Sequence, residues 1–322
     1  MLTRRELMSG AAAVAAAALM RDDAWAQAPS GQGSVSFLMP AGATDCHAHV
    51  FCDSKAFPMA PGRTYTPDAA PVSEYIALAR RLGIERTVFI QPSVYGADNT
   101  CILAAIREIG SHARGIAVVG DTTSDAELDD MIHTGIRGLR INLETTGQAD
   151  PSQARERFLA AVKRIGARKL HVQMFTRPSV IAAIKEAIEA SPLTVVFDHF
   201  GGAQAAGGVE QPGFDALAAL VQSGKAYVKL SAPYRGSTQT PAYADMAPLA
   251  KALIAANPQR ILWGSDWPHP NTSPEAVNAD SGTSPRLPID DVAVLNQFQV
   301  WLPTIPQRRV VLVDNPARLY GW

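Results

Sequence analysis

Two histidines stand two residues apart in Asp45-Cys46-His47-Ala48-His49-Val50-Phe51. Residues i and i+2 of an extended strand share a face, so His47 and His49 project together. Two imidazoles on one face can bind a metal ion or polarise a carbonyl. A second group, Asp198-His199-Phe200-Gly201-Gly202, closes an apolar run, and its glycines let the chain turn sharply and leave room for a ligand. A third is Trp263-Gly264-Ser265-Asp266-Trp267-Pro268-His269-Pro270. There Asp266 offers a carboxylate able to act as general base toward water. Each group has a plainer reading, as a core histidine, a capping aspartate or a turn residue. Three such groups, each at the end of an apolar run, favour chemistry.

The elements that must carry these groups alternate. Strand signals fall at 44–51, 86–91, 114–119, 138–142, 171–175, 194–198, 226–230 and 261–265. Helical patterns occupy 72–82, 99–109, 126–134, 151–168, 179–190, 214–223 and 243–256. Strict strand-then-helix order predicts a parallel sheet with helical crossovers, and eight strands close a (β/α)8 TIM barrel. The rival is an open doubly wound sheet. It loses support because no glycine fingerprint follows the first strand and there is no P-loop. In a barrel, chemistry sits at the C-terminal strand ends, where all three groups fall. Stretches 201–213 and 268–290 read as long loops on that face.

The chain has 322 residues, 47% hydrophobic and 18% charged, a globular balance with ample material for a core. Its 29 Lys+Arg against 30 Asp+Glu give no general attraction for nucleic acid or anionic membrane. Arg4-Arg5 precede an apolar, alanine-rich run to Met20, then Ala24-Trp25-Ala26. This is the layout of a twin-arginine signal peptide over 1–26, too short for a stable membrane span. It predicts use of the twin-arginine export machinery and a periplasmic location. A flexible lead-in over 27–43 and one domain over 44–322 follow. Cys46, Cys52 and Cys101 are too few, and odd in number, for a disulfide scaffold. Cys46 reads as a free buried cysteine.

These motifs resemble the amidohydrolase superfamily, and within it the amidohydrolase-related group that contains the pyrone dicarboxylate lactonases. Arg63-Thr64-Tyr65-Thr66-Pro67, Gln91 before Tyr95-Gly96-Ala97-Asp98-Asn99, Gly135-Ile136-Arg137-Gly138-Leu139-Arg140-Ile141-Asn142 and Asp314-Asn315-Pro316-Ala317-Arg318 fit the same pattern. The resemblance runs from Asp45 to Trp322. It implies a (β/α)8 barrel and hydrolysis of a small lactone. It also implies that His47, His49 and His199 polarise the carbonyl while Asp266 serves as base. Arg137, Arg140 and Arg235 would grip carboxylates, since a guanidinium pairs with one through two bonds; the plainer reading of Arg137 is a solvated strand-end charge. Tyr65, Gln91 and Asn99 are candidates for polar contacts. The related pattern departs at Gly202, which replaces an arginine, and at Tyr95, which replaces a histidine. Gln173, Met174 and Phe175 stand where a tyrosine is expected. No metal is favoured. The alternative is Zn2+ held by His47, His49, His199 and Asp266, as in a decarboxylase or hydratase of the superfamily. A non-catalytic periplasmic binding protein is a third reading, opposed by the presence of a water-activating carboxylate. The sequence leaves the oligomeric state open.

Overall fold

The structure is a computed structural model describing residues 33–145, 147, 150–273 and 282–322. Residues 1–26, read above as a signal peptide, lie outside the described residues. Eight strands lie in one sheet in the order of the chain, β1 (Thr44–Ala48), β2 (Arg86–Ile90), β3 (Ala113–Ala117), β4 (Ile136–Asn142), β5 (His171–Phe175), β6 (Val195–Phe197), β7 (Ala226–Ser231) and β8 (Ile261–Gly264). All neighbouring pairs are parallel. The intervening helices are α1 (Val72–Leu82), α2 (Thr100–Ile109), α3 (Asp125–Thr134), α4 (Pro151–Ile165), α5 (Pro178–Ala190), α6 (Phe214–Gln222) and α7 (Ala247–Ala256). The (β/α)8 barrel read from the sequence is what folds, with element ends shifted by no more than four residues. After β8 come α8 (Asp291–Asn296), α9 (Phe298–Trp301), α10 (Ile305–Arg309) and α11 (Asn315–Tyr320).

The helices hold their places for ordinary reasons. Each presents a buried apolar face to the sheet, as Tyr75, Ala79 and Leu82 do in α1. Gly83, left-handed at φ 72, stops α1 with its N–H on the Ala79 and Arg80 carbonyls. A capping box of Ser124 and Glu127 starts α3. Among the described residues no helix is long and apolar enough to cross a membrane.

The seam between β1 and β8 closes the barrel and is built by one side chain. Asp45 Oδ1 accepts the N–H of His47 and of Ser265, each at 3.0 Å. Its Oδ2 accepts the Ser265 hydroxyl at 2.6 Å and the Tyr75 hydroxyl at 3.2 Å. Backbone bonds complete the seam, from Asp266 N–H to the His47 carbonyl at 2.8 Å and from His49 N–H to the Trp267 carbonyl at 2.7 Å. Gly264 is required here, because a Cβ would lie 2.5 Å from His47 Cβ.

β1 also carries an irregularity. Asp45 pairs with Thr87 and Ala48 with Phe89, so three steps along β1 meet two along β2. The extra residue re-aims the chain. Asp45 points outward to α1, whereas Cys46 packs with Val88, Ile90, Ile116, Val196 and Leu262 in the barrel interior. Beyond the bulge His47 and His49 face inward too, reaching Asp266.

Tyr320 plugs the bottom of that interior cluster. Arg137 lies at this end, donating to the Tyr320, Ile132 and Ile136 carbonyls. It caps α11 and cannot reach a ligand at the top of the barrel, which corrects its assignment as a carboxylate grip. Residues 33–43 of the lead-in are tied to the body, against the expectation of a mobile segment. Ser36 bonds Asn296 and Gln299, and Arg308 stacks over Phe37 at 4.8 Å. Cys46 is free and buried, as read, while Cys52 and Cys101 form a single disulfide between the segment after β1 and the start of α2.

Candidate active site

The groups singled out at three strand ends converge on one oxygen. Asp266 Oδ1 lies 3.3 Å from His49 Nε2, 3.4 Å from His47 Nε2 and 3.8 Å from His199 Nε2. All four residues are buried. Asp266 and His199 both have left-handed backbones, at φ 62 and 50, as do Phe200, Ala232 and His269. Five non-glycine residues in that region, all beyond the ends of β6, β7 and β8, mark a site whose geometry the surrounding fold enforces.

The two carboxylate oxygens of Asp266 have different surroundings. Oδ2 accepts from the Tyr234 hydroxyl at 2.6 Å and from Arg235 through Nε at 3.1 Å and Nη2 at 3.0 Å. Oδ1 is buried without a hydrogen-bond partner, and so is His47 Nε2. Burial alone would raise the Asp266 carboxyl, but the neighbouring Arg235 and His199 hold it well below the usual range. It is an anion that presents one free oxygen to three rings.

The far nitrogens of the rings decide what each can offer. His49 Nδ1 sits 2.8 Å from the Ile90 carbonyl, which only accepts, so Nδ1 carries the proton and Nε2 of the neutral ring is a lone pair. His199 Nδ1 meets the Ser231 hydroxyl at 2.9 Å, which can donate or accept. His47 Nδ1 has Asp198 Oδ1 at 3.2 Å and Lys229 Nζ at 3.3 Å. Burial pushes the His199 ring down to about 4 and the His47 ring well below its usual range, so both are neutral at pH 7.

Behind the rings lies a second buried carboxylate. Burial would raise Asp198, but Lys229 and His47 hold it well below the usual range. Gln173 Nε2 donates to its Oδ2 at 3.2 Å, and Arg140 Nη2 stands 3.7 Å from the same oxygen. Arg140 is anchored by the Gln91 carbonyl at 2.8 Å, and its Nε is buried without a partner.

The remaining candidates divide. Tyr65 is buried among the charges of Arg140, Arg235 and Asp266, and so belongs to the site. Gln91 serves through its backbone, while its side-chain amide holds the Gly96 and Asp98 carbonyls. Asn99 is a loop staple, bonding the Ala97 and Val118 carbonyls and the Val118 N–H; nothing brings it to the rings, which corrects its reading as a ligand contact. Arg235 is taken up by Asp266 through two nitrogens and lines the cavity beside it. Sequence reasoning missed Lys229, Tyr234 and Ser231. The available signal was a lysine and a serine alternating on the inward face of an otherwise apolar β7.

A cavity of about 540 Å³ opens on this centre, lined by His199, Arg235, Phe175, Gly202 and Met246, with the Glu144–Arg177 pair at its edge. Gly202 has φ +76, and a Cβ there would lie 2.3 Å from the Thr176 carbonyl oxygen, so no side chain is accommodated.

His47, His49 and Asp266 form a donor set able to hold a divalent ion, with an orphaned buried nitrogen and an orphaned buried oxygen facing one another, and His47, Asp198 and His199 form a second. A barrel with imidazoles from β1 and β6 and a carboxylate beyond β8 defines a hydrolase of the amidohydrolase type. The amidohydrolase family model matches residues 44–322, and the protein belongs to that family. It is 34% identical to a 4-sulfomuconolactone hydrolase of Rhizobium radiobacter over 89% of this chain and 92% of the relative. It is 33% identical to a 2-pyrone-4,6-dicarboxylate hydrolase of Comamonas testosteroni over 88% and 92%. The solved structure of a candidate 2-pyrone-4,6-dicarboxylic acid hydrolase from Pseudomonas putida superposes with a TM-score of 0.73 at 30% identity, covering 88% of this chain and 98% of that one.

The buried rings set a pH dependence of stability. Burial depresses His199 to about 4 and His171, at the start of β5, to about 3. Unfolded histidines take up protons near pH 6.5, so the native state loses ground as pH falls from about 6.5 toward 4, by a few kcal/mol. Asp45 acts in the opposite sense, since burial pushes it up to about 6 against its donors. Its contribution is full below about pH 4 and is lost as pH rises through 6. Two histidines outweigh one aspartate, so Tm measured by calorimetry is expected to fall between pH 6.5 and 4. A Tm that rises over that interval would show that the rings are charged in the native state.

Proposed function

We propose that the protein hydrolyses the ring ester of a small lactone carrying a carboxylate or sulfonate, and that it does so in the periplasm without a metal ion. The observation that carries the chemistry is the asymmetric Asp266 carboxylate, with one oxygen saturated by Tyr234 and Arg235 and the other free among three imidazole nitrogens. A water seated there donates one hydrogen to Asp266 Oδ1 and the other to the His49 Nε2 lone pair. Its own lone pair then faces the substrate. His199, and His47 in its Nε2–H form, donate to the ring carbonyl. Water adds to the carbonyl carbon as its proton passes to Asp266, the ring C–O bond breaks, and Asp266 returns that proton to the leaving oxygen.

A divalent ion bound by His47, His49 and Asp266 would polarise the carbonyl and acidify water. The charge balance favours the metal-free reading. Two buried carboxylates, Asp198 and Asp266, already face three cations, the buried Arg140 and Lys229 and the partly buried Arg235. A dication would add to an existing positive excess that an acidic substrate is suited to neutralise. The relatives named for lactone hydrolysis support the substrate class. Arg177 is engaged by Glu144 through two hydrogen bonds, at 3.0 and 2.7 Å, and Gly202 offers no side chain. Both features favour one firmly held acidic group over two.

The twin-arginine pattern supports export, and the Cys52–Cys101 disulfide supports an oxidising compartment. The test is hydrolysis of a lactone panel, followed with a pH indicator, with and without a strong chelator. The panel holds pyrone dicarboxylate, muconolactones including the sulfonated one, and aldonolactones. Turnover that survives chelation is expected. Turnover only after zinc is added would overturn the metal-free mechanism, and no turnover of any lactone would overturn the substrate class.

A further inference from the structure

Lys229 is fully buried in the middle of β7, and the mechanism above gives it no task. An ammonium has three hydrogens to donate and accepts none. Lys229 Nζ has three acceptors within reach, Gln173 Oε1 at 2.7 Å, Asp198 Oδ1 at 3.2 Å and His47 Nδ1 at 3.3 Å. Gln173 Oε1 and His47 Nδ1 meet the lysine in hydrogen-bonding geometry, whereas Asp198 Oδ1 is its ion-pair partner without a hydrogen bond. His47 Nδ1 must then be a lone pair. The single proton of the neutral ring sits on Nε2, which faces Asp266 and the reaction centre.

We propose that Lys229 is a positioning residue that fixes His47 as an Nε2–H donor, the tautomer opposite to that of His49. Asp198 Oδ1 is the competitor. At 3.2 Å from His47 Nδ1 it would accept a proton there and turn Nε2 into a lone pair. Lys229 lies on both sides of this choice, because it donates to Nδ1 and also forms an ion pair with the same carboxylate oxygen. Gln173 completes the arrangement, its carbonyl oxygen taking Lys229 and its amide N–H going to Asp198 Oδ2. One face of β7 therefore orients two rings, His47 through Lys229 and His199 through Ser231. The result is a His-x-His pair with unlike ends. His49 receives a hydrogen from water and His47 gives one to the carbonyl.

The kinetic part of this inference rests on the lactone-hydrolase reading, whereas the tautomer is read without substrate. The experiment is a 15N-detected ring spectrum of the full chain labelled in histidine, with His47 identified from its loss in His47→Gln. The expected pattern is protonated Nε2 and unprotonated Nδ1 for His47, and the reverse for His49. Lys229→Met is expected to move the His47 proton to Nδ1 and to lower kcat on a turned-over lactone by about 10- to 100-fold, with KM changed less than about threefold. Protonated Nδ1 on His47 in the wild type would overturn the inference, and that spectrum decides even if Lys229→Met does not fold. A folded Lys229→Met protein with the His47 tautomer and kcat unchanged would also overturn it. Wild-type protein that hydrolyses no lactone yet shows the Nε2 proton would count against the proposed activity and for the role of Lys229.

Discussion

Asp266→Asn is expected to lower kcat for lactone hydrolysis by about 10³-fold or more while leaving the protein folded. The asparagine keeps the shape of the carboxylate and is among the residues most at ease with a left-handed backbone such as the φ of 62 found there. Its amide oxygen can take the place of Oδ2 and accept from Tyr234 and Arg235. Its NH2 then replaces Oδ1 and donates one hydrogen to the lone pair of His49. What is lost is the carboxylate that takes the proton from water in the proposed step. The measurement is steady-state kinetics beside a melting curve. A drop in kcat with Tm within a few degrees of wild type is the expected result, and near-normal turnover would remove Asp266 from the role of base. Binding of a lactone without turnover in the wild type, unchanged by Asp266→Asn, would instead mark a binding protein.

Reduction of the Cys52–Cys101 disulfide is expected to cost stability on a comparable free-energy scale. The bond spans 49 residues, and constraining a loop of that size in the unfolded chain contributes about 4 kcal/mol in the chain-entropy account. For a barrel of this size that corresponds to a fall in Tm of about 6 °C. Melting in the presence and absence of a reductant, with Cys52→Ser/Cys101→Ser as a control insensitive to it, measures the effect. The disulfide joins the segment that leaves His49 to the first turn of α2, and the Cys52 N–H is held by the Tyr95 hydroxyl at 3.0 Å. The reduced protein is therefore expected to lose order first beside the catalytic strand. An unchanged melting curve would show that the native packing alone closes this loop.

The sequence carried the barrel and the side chains that meet at its mouth because both are written locally. Each strand is a short apolar run, each helix a periodic one, and His47, His49, His199 and Asp266 sit where those runs stop. What it did not carry is long-range. Cys52 and Cys101 lie on different βα units, and only closure of the barrel brings them together. Lys229 is hidden because a lysine inside an apolar strand announces a partner without naming it; Asp198 and Gln173 come from other strands. Arg137 and Arg140 could have been separated from the sequence. Three residues apart on one strand they face opposite ways, and only Arg140 is also near the C-terminal end. Asn99 follows a strand end, as a ligand residue does, but spends its amide on neighbouring loop backbone.

The extra residue in β1 has an evolutionary corollary. Side-chain direction alternates along a strand, so the bulge between Asp45 and Ala48 lets consecutive chain positions serve two surfaces, the outward clasp of Asp45 and the inward pair of His47 and His49. Exchanging one amino acid for another removes a single group but leaves the directions of the others in place. Loss of a single codon in this stretch would undo the arrangement, by turning either the clasp or the histidines to the wrong side. The lineage of such a site is therefore confined to one length of chain along β1.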